Sequence, residues 1–358
     1  MATQRNPSFE ILRVIAMLFI VVWHFLIHGL GRHPVCVADD PISLFNLSSI
    51  EFIGCLSKIS TNCYVLITGY FLIRTTTTKW AKIPKTWAPI FFYSAFILGI
   101  FLIFDYQHIS WEDCYRSLLP IYFDRYWFAS RYLALVALAP FLAVIARNIT
   151  RRQYLLFLGV MAVINFDFFL GSSLSSNNSI FWFIFLFFAG GYFRLYPIPE
   201  GKKNNFGKMY FLSVVAISGF YLSCTLSHYG LWRAPVMIDY HNNNGLIFVS
   251  AILLFIWATK LKSPDNRFVR LMVRVAPLTF GVYLIHDNIL VRPLLWHNLI
   301  GVKALADSWM FVPVLVGSCI TIFVVCLALD SVRSYLFNKL RVNDRIDSAY
   351  NKIHRLLP

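Results

Sequence analysis

The stretch Phe9–Phe25, FEILRVIAMLFIVVWHF, decides the fold. It stays apolar on to Leu30, long enough to cross a hydrocarbon layer of about 30 Å. Lipid offers the backbone no hydrogen bonds, so such a run has to be a helix. A transmembrane barrel would instead show strands of about 10 residues with alternating polarity. Ionisable groups interrupt this helix at Glu10, Arg13, His24 and His28. Arg13 and His24 are eleven residues apart, three turns plus about 20°, so they share a face and stand roughly 16 Å apart along the axis. No small-residue cleavage site closes the run, so it is expected to remain as a helix rather than be removed as a signal peptide.

Nine further apolar runs follow. The ten expected helices are Glu10–Leu30, Ile50–Ile73, Trp87–Phe104, Tyr126–Ala146, Tyr154–Leu170, Ile180–Leu195, Met209–Leu226, Gly245–Leu261, Pro277–Trp296 and Trp309–Leu329. The chain is 58% hydrophobic and 17% aromatic, with a mean hydropathy of +0.63. The expected fold class is therefore an all-α polytopic membrane protein. Residues 1–335 are expected to form the membrane domain and 336–358 a basic cytoplasmic tail.

The net charge of +15 does not point to nucleic acid, because Lys and Arg cluster in short loops between apolar runs. Loops rich and poor in these residues alternate at every crossing, which puts both termini in the cytoplasm and the basic clusters against anionic lipid. The seven Cys lack the spacing of a zinc site or a disulfide framework.

An ionisable side chain inside a spanning helix is a candidate for function. Arg13, near the cytoplasmic edge, suits a donor's phosphate, and His24, deeper in, offers an imidazole as general base or acyl-accepting nucleophile. The same two residues also fit a snorkelling guanidinium and a hydrogen-bonded interhelical histidine. Glu10 lies three residues before Arg13, at pairing distance on a helix. His28 would make an HxxxH face with His24, but a metal needs three or four ligands and no third is evident nearby, so no metal site is expected. Arg74, Lys79, Lys82 and Lys85 cluster on the cytoplasmic side, where they could hold donor phosphates. On the outer side Tyr126, Trp127 and Arg131 fit a sugar platform or an interfacial belt, and Lys58 faces an acceptor cavity or snorkels. His286 sits deep in its helix beside Asp287.

The opening helix resembles that of the family 3 membrane acyltransferases, whose signature is Arg, ten residues, then His; Arg13 and His24 match it. The resemblance continues in order through NCYVLITGYFLI (Asn62–Ile73), YWFASRYLALVALAPFLAVI (Tyr126–Ile145) and LTFGVYLIHDNIL (Leu278–Leu290). Thr68 stands where the family usually has Ser, and Lys79, Lys82 and Lys85 stand where some members carry paired Arg. The resemblance implies His24 as the catalytic imidazole, Arg13 at the donor side and a role for His286. It implies transfer of an acetyl or other short acyl group from cytoplasmic acyl-CoA, a substrate rather than a bound cofactor. The implied acceptor is a hydroxyl of a cell-surface or lipid-linked carbohydrate such as O-antigen or exopolysaccharide. The implied location is the bacterial cytoplasmic membrane, in the form without a fused hydrolase-like domain. A flippase or a polymerase of lipid-linked sugars is the alternative. No internal symmetry of the transporter kind is visible, and the outer loops are short for a polymerase.

Overall fold

The computed structural model describes residues 6–31, 41–75, 80–167, 178–199, 205–228 and 241–354. Helix α1 (Pro7–His24) begins where the Asn6 side chain accepts the Ser8 N–H at 3.1 Å, with Pro7 at the first helical position and Glu10 in the first turn. At His24 it loosens into a π-turn over Phe25–Leu30, the kind of local unwinding that often marks a functional site. Helices α2 (Pro41–Lys58) and α3 (Ser60–Leu72) form one apolar path interrupted at Ile59. Then come α4 (Lys82–Phe104), the short α5 (Trp111–Leu118), α6 (Trp127–Asn148), α7 (Arg151–Asn165), α8 (Ile180–Leu195), α9 (Phe206–His228) and α10 (Gly245–Lys260). The chain closes with α11 (Arg267–Val275), α12 (Thr279–His286), α13 (Val291–Pro293) continuing as a π-turn to Leu299, α14 (Phe311–Lys339) and α15 (Val342–His354).

The protein is an all-α polytopic membrane protein. Among the described residues, seven helical stretches are long and apolar enough to cross a membrane: Pro7–Leu30, Pro41–Leu72, Lys82–Phe104, Trp127–Asn148, Phe206–Ser227, Arg267–His286 and Phe311–Lys339. The three remaining expected segments are helical but short, with 15 residues in α7 and 16 in each of α8 and α10. At 1.5 Å per residue they reach about 24 Å at most. The short helices are compatible with lipid because the described residues at their ends, Asn165, Asp167 and Asn242–Asn244, are buried against protein, where irregular backbone is tolerated. Asn62 on α3 donates to the Asn242 carbonyl at 2.9 Å and accepts from the Trp182 indole at 3.1 Å.

One expected helix is corrected. Pro277–Trp296 is not continuous: the apolar helical run is Arg267–His286, and the chain breaks at Asp287 before resuming at Val291. Asn288 causes the break locally, its side-chain oxygen accepting the Leu290 N–H at 2.9 Å, a local turn that competes with helix. Upstream, the basic residues Arg267, Arg270 and Arg274 belong to helix α11 rather than to a loop.

α1 is the hub of the bundle, packed against α2, α3, α10, α11, α12 and α14. The tightest crossing is α3 on α8. A Cβ on Gly69 would lie 2.1 Å from the Phe187 carbonyl oxygen, and one on Gly190 would lie 2.1 Å from that of Leu66. Small residues that let backbones touch are how membrane helices associate without a hydrophobic driving force. The outward faces of α4, α9 and α14 expose large apolar side chains such as Phe96, Ile103, Phe211 and Val324, as lipid contact requires. Outside the bundle, the segment leading to α6 is fixed by a capping box at Ser110 and by an Arg125–Asp113 pair at 2.7 Å. Burial alone would raise the Asp113 carboxyl, but hydrogen bonds from Ser110 and Arg125 outweigh it and hold it below the usual carboxylate range.

Candidate functional site

The break after α12 and the loosening of α1 fall at the same place, and together they build the site. His24, the last residue of α1, and His286, the last of α12, place their rings 5.0 Å apart, with His24 Nδ1 at 2.9 Å from His286 Nε2. His286 Nδ1 lies 2.5 Å from the Val282 carbonyl oxygen. A carbonyl only accepts, so His286 carries its proton on Nδ1, and in its neutral form its Nε2 accepts from His24 Nδ1–H. The unprotonated lone pair of His24 is thereby assigned to Nε2.

Asp287, fully buried, completes the arrangement. Its Oδ1 lies 3.3 Å from His24 Nδ1, 3.3 Å from His28 Nε2 and 2.8 Å from Arg292 Nε. Its Oδ2 has no hydrogen-bond partner among the described residues. Because the helix ends at His286, the Asp287 side chain can meet α1 from the side while Arg292, one turn further on, closes over it.

Of these groups, His24 and His28 line a cavity of about 300 Å³ between α1, α2, α3 and α6, and His286, Asp287 and Arg292 stand behind them; the volume is at the small end of ligand pockets. His24, His28 and Tyr283 form one wall. Trp23, Glu51, Lys58, Trp127, Asn178 and Asn242 also line the cavity. The Lys58 ammonium sits 4.2 Å from the centre of the Trp23 ring. Glu51 accepts from the Thr225 hydroxyl at 2.7 Å.

The structure brings some expected residues together and separates others. His24, Lys58 and Trp127 line the cavity, and His286 contacts His24 from behind. Tyr126 does not line it: the phenol is buried, donates to the Leu284 carbonyl at 3.0 Å and accepts from Asn288 at 2.7 Å, which braces the break after α12. Arg131 also turns away, bonding the Asn178 carbonyl at 3.1 Å and pairing with Asp124. Of Tyr126, Trp127 and Arg131, expected as a sugar platform or an interfacial belt, only Trp127 lines this cavity; Arg131, four residues on, shares its helix face but is drawn to Asp124 and the Asn178 carbonyl.

Arg13 lies toward the other end of α1, its Nη1 2.6 Å from Glu10 Oε1 and its guanidinium 5.7 Å from the Phe71 ring centre. Its carbonyl accepts from the Tyr64 hydroxyl at 2.8 Å, and that oxygen also lies 3.0 Å from Thr279 Oγ1, joining α1, α3 and α12. Of the basic cluster, Arg74 bonds the Arg194 carbonyl at 3.2 Å, Lys82 is exposed at the start of α4, and Lys85 pairs with Asp347 of α15 at 2.6 Å. Lys79 lies outside the described residues.

Sequence reasoning missed Asp287, Arg292 and Glu51 as site residues. The signal for Asp287 was its place beside a deep histidine. For Glu51 it was an acid in an apolar stretch that the helix start expected at Ile50 disguised as an end. The judgement that no third ligand lies near His24 and His28 is also corrected, since ligand-type atoms of His24, His28 and Asp287 lie within 4.8 Å of one another. Within this set His24 Nδ1 is committed to His286 and Arg292 supplies a cation to Asp287 Oδ1.

A family model described as an acyltransferase domain, that of the family 3 acyltransferases, matches residues 6–330. No curated protein and no solved structure is significantly similar to the chain.

Proposed function

The chain belongs to the family 3 acyltransferases, and from that membership we propose that it is an O-acetyltransferase of the bacterial cytoplasmic membrane. It moves the acetyl group of cytoplasmic acetyl-CoA to a hydroxyl of a cell-surface or lipid-linked carbohydrate such as O-antigen or exopolysaccharide. The observation that carries this reading is the bare Nε2 of His24, fixed by the chain His24–His286–Val282 at the wall of a polar cavity inside an apolar bundle.

The acceptor hydroxyl gives its proton to His24 Nε2 as its oxygen bonds to the thioester carbonyl carbon. The carbon–sulfur bond then breaks, and the thiolate leaves with the proton returned from the imidazolium. The transient positive charge lies beside the Asp287 carboxylate, which Arg292 and His28 hold in place. A fixed partner on the far nitrogen that sets the tautomer is a general device of histidine catalysis. Arg13, roughly 16 Å away along α1, grips the donor's phosphate end, and Arg74, Lys79, Lys82 and Lys85 add cations on the same side. Thiol ester and hydroxyl thus approach His24 from opposite ends of one helix.

The test is labelled acetyl-CoA supplied to proteoliposomes, with mass spectrometry of surface glycans from cells with and without the gene. O-acetylation that depends on the gene and on His24 is expected. Glycans identical in both strains would refute the carbohydrate assignment.

A further inference from the structure

Lys58 has the arrangement of a residue waiting for an anion. It lines the cavity with His24, and the nearest group its ammonium engages is the Trp23 ring at 4.2 Å. No carboxylate or hydrogen-bond acceptor among the described residues meets its Nζ, although the protein pairs Arg13, Arg292 and Arg333 with acids at 2.6–2.8 Å. A ring face attracts a cation, but the contribution is small against the cost of holding an ammonium in a low-dielectric bundle.

The bland accounts of Lys58 are weak. A lysine at a helix C-terminus is favoured by the macrodipole, but α3 starts at Ser60, two residues on. Its positive end offsets the negative end of α2. Snorkelling would carry the ammonium out to the membrane surface, whereas the Trp23 contact holds it against the cavity. Glu51, on the same helix seven residues earlier, is roughly 10 Å away along the axis and bonds Thr225.

We infer that the acceptor is a saccharide bearing an anionic group, a carboxylate or a phosphate, and that Lys58 pairs with that group while a hydroxyl of the same molecule faces His24 Nε2. The inference rests on the transferase reading. Trp23 and Trp127 offer ring faces to the sugar, and Asn178, whose Oδ1 already accepts from Asn242 Nδ2 at 2.8 Å, keeps its own amide N–H groups for a sugar hydroxyl. The pairing replaces water around both ions with each other, and in so small a cavity it selects which hydroxyl is presented. The donor is the other source of anionic oxygens, but its phosphate end belongs at Arg13, at the far end of α1.

The experiment uses the full-length chain in zwitterionic nanodiscs and three probes: methyl glucoside, the methyl glycoside of glucuronate, and glucose 1-phosphate. Binding is measured by calorimetry on His24→Ala, which removes turnover from the readout. At least one anionic probe is expected to bind 10-fold or more tighter than methyl glucoside, and the better of the two identifies the anion. Lys58→Met should erase the preference and Lys58→Arg should keep it. Should Lys58→Met fail to insert, Lys58→Gln serves in its place. Equal binding of all three probes overturns the inference, as does a preference that survives Lys58→Met. Anion-selective binding in a protein whose wild type transfers no acetyl group would refute the transferase reading and leave the Lys58 site standing.

Discussion

His24 donates its Nδ1 proton to Nε2 of His286 across 2.9 Å, because His286 has committed its own Nδ1 proton to the Val282 carbonyl. A residue on one helix therefore sets which nitrogen of another can act. His24→Ala is expected to abolish acetyl transfer at normal membrane abundance, since removing an imidazole from an apolar helix also removes a polar group that had to be buried. His286→Ala should leave insertion intact and lower kcat by about 10²-fold or more, within the usual worth of general base catalysis, with little change in KM. His286→Gln restores an acceptor for His24 and should recover part of the loss. Equal activity of the Ala and Gln variants would remove the tautomer argument.

Asp287 binds three partners through one oxygen, so the identity of its substitute matters. Asp287→Asn leaves the half-buried Arg292 beside a neutral amide; stranding a fully buried charge costs about 3–5 kcal/mol, and partial solvation of the guanidinium should bring the loss below that. Melting in detergent should show a marked drop. The double variant Asp287→Asn/Arg292→Gln removes both charges and should melt closer to wild type while remaining inactive. Recovery of activity along with stability would reduce the pair to a structural brace.

The α3–α8 crossing gives a prediction about folding alone. Gly69→Ala and Gly190→Ala each drive a methyl into a backbone oxygen 2.1 Å away, so each should destabilise by about 1–3 kcal/mol or more and lower membrane abundance. Gly99→Ala meets nothing within 4 Å and should be neutral or slightly stabilising. Abundance of the two crossing variants matching that of Gly99→Ala would show that the helices can separate without penalty.

The parts legible in sequence were those carried by one helix. Arg13 and His24 are related by local geometry alone, and His286 stood out as a polar residue in an apolar run. Asp287 and Arg292 were hidden because the helix break that aims them depends on a side-chain turn at Asn288 and on Tyr126 bracing it from α6. Tyr126, Trp127 and Arg131 fit a sugar platform and an interfacial belt alike, because an aromatic pair followed by Arg has the same pattern at both. The packing of α6 against its neighbours decides which of the three reaches the cavity.

Lys85 is held by Asp347 of α15, which makes the donor-side cluster separable from topology. Neutralising Arg74, Lys82 and Lys85 together should raise the KM for acetyl-CoA more than it lowers kcat. Asp347→Asn frees Lys85 and should leave that KM unchanged or lower it. A triple variant with normal donor KM would confine the cluster to setting orientation.

Arg13 is the residue whose role is most easily mistaken, because its contact with the buried Glu10 at 2.6 Å already gives it a structural reason to exist. The pair uses one guanidinium nitrogen, Nη1, and leaves the rest of the fork available to a donor phosphate. Arg13→Lys keeps the charge for Glu10 but loses the planar, multiply donating geometry. A hydrogen bond to a charged group is worth about 1.5–3 kcal/mol, so kcat/KM for acetyl-CoA should fall by about 10- to 100-fold. Abundance should be unchanged, since the ion pair survives. The double variant Glu10→Gln/Arg13→Gln separates the two roles: with no buried carboxylate left to neutralise, a purely structural arginine is dispensable. The expected result is a folded protein that remains severely impaired. Wild-type transfer by that double variant would assign Arg13 to Glu10 alone and leave the donor's phosphates to the residues at the start of α4.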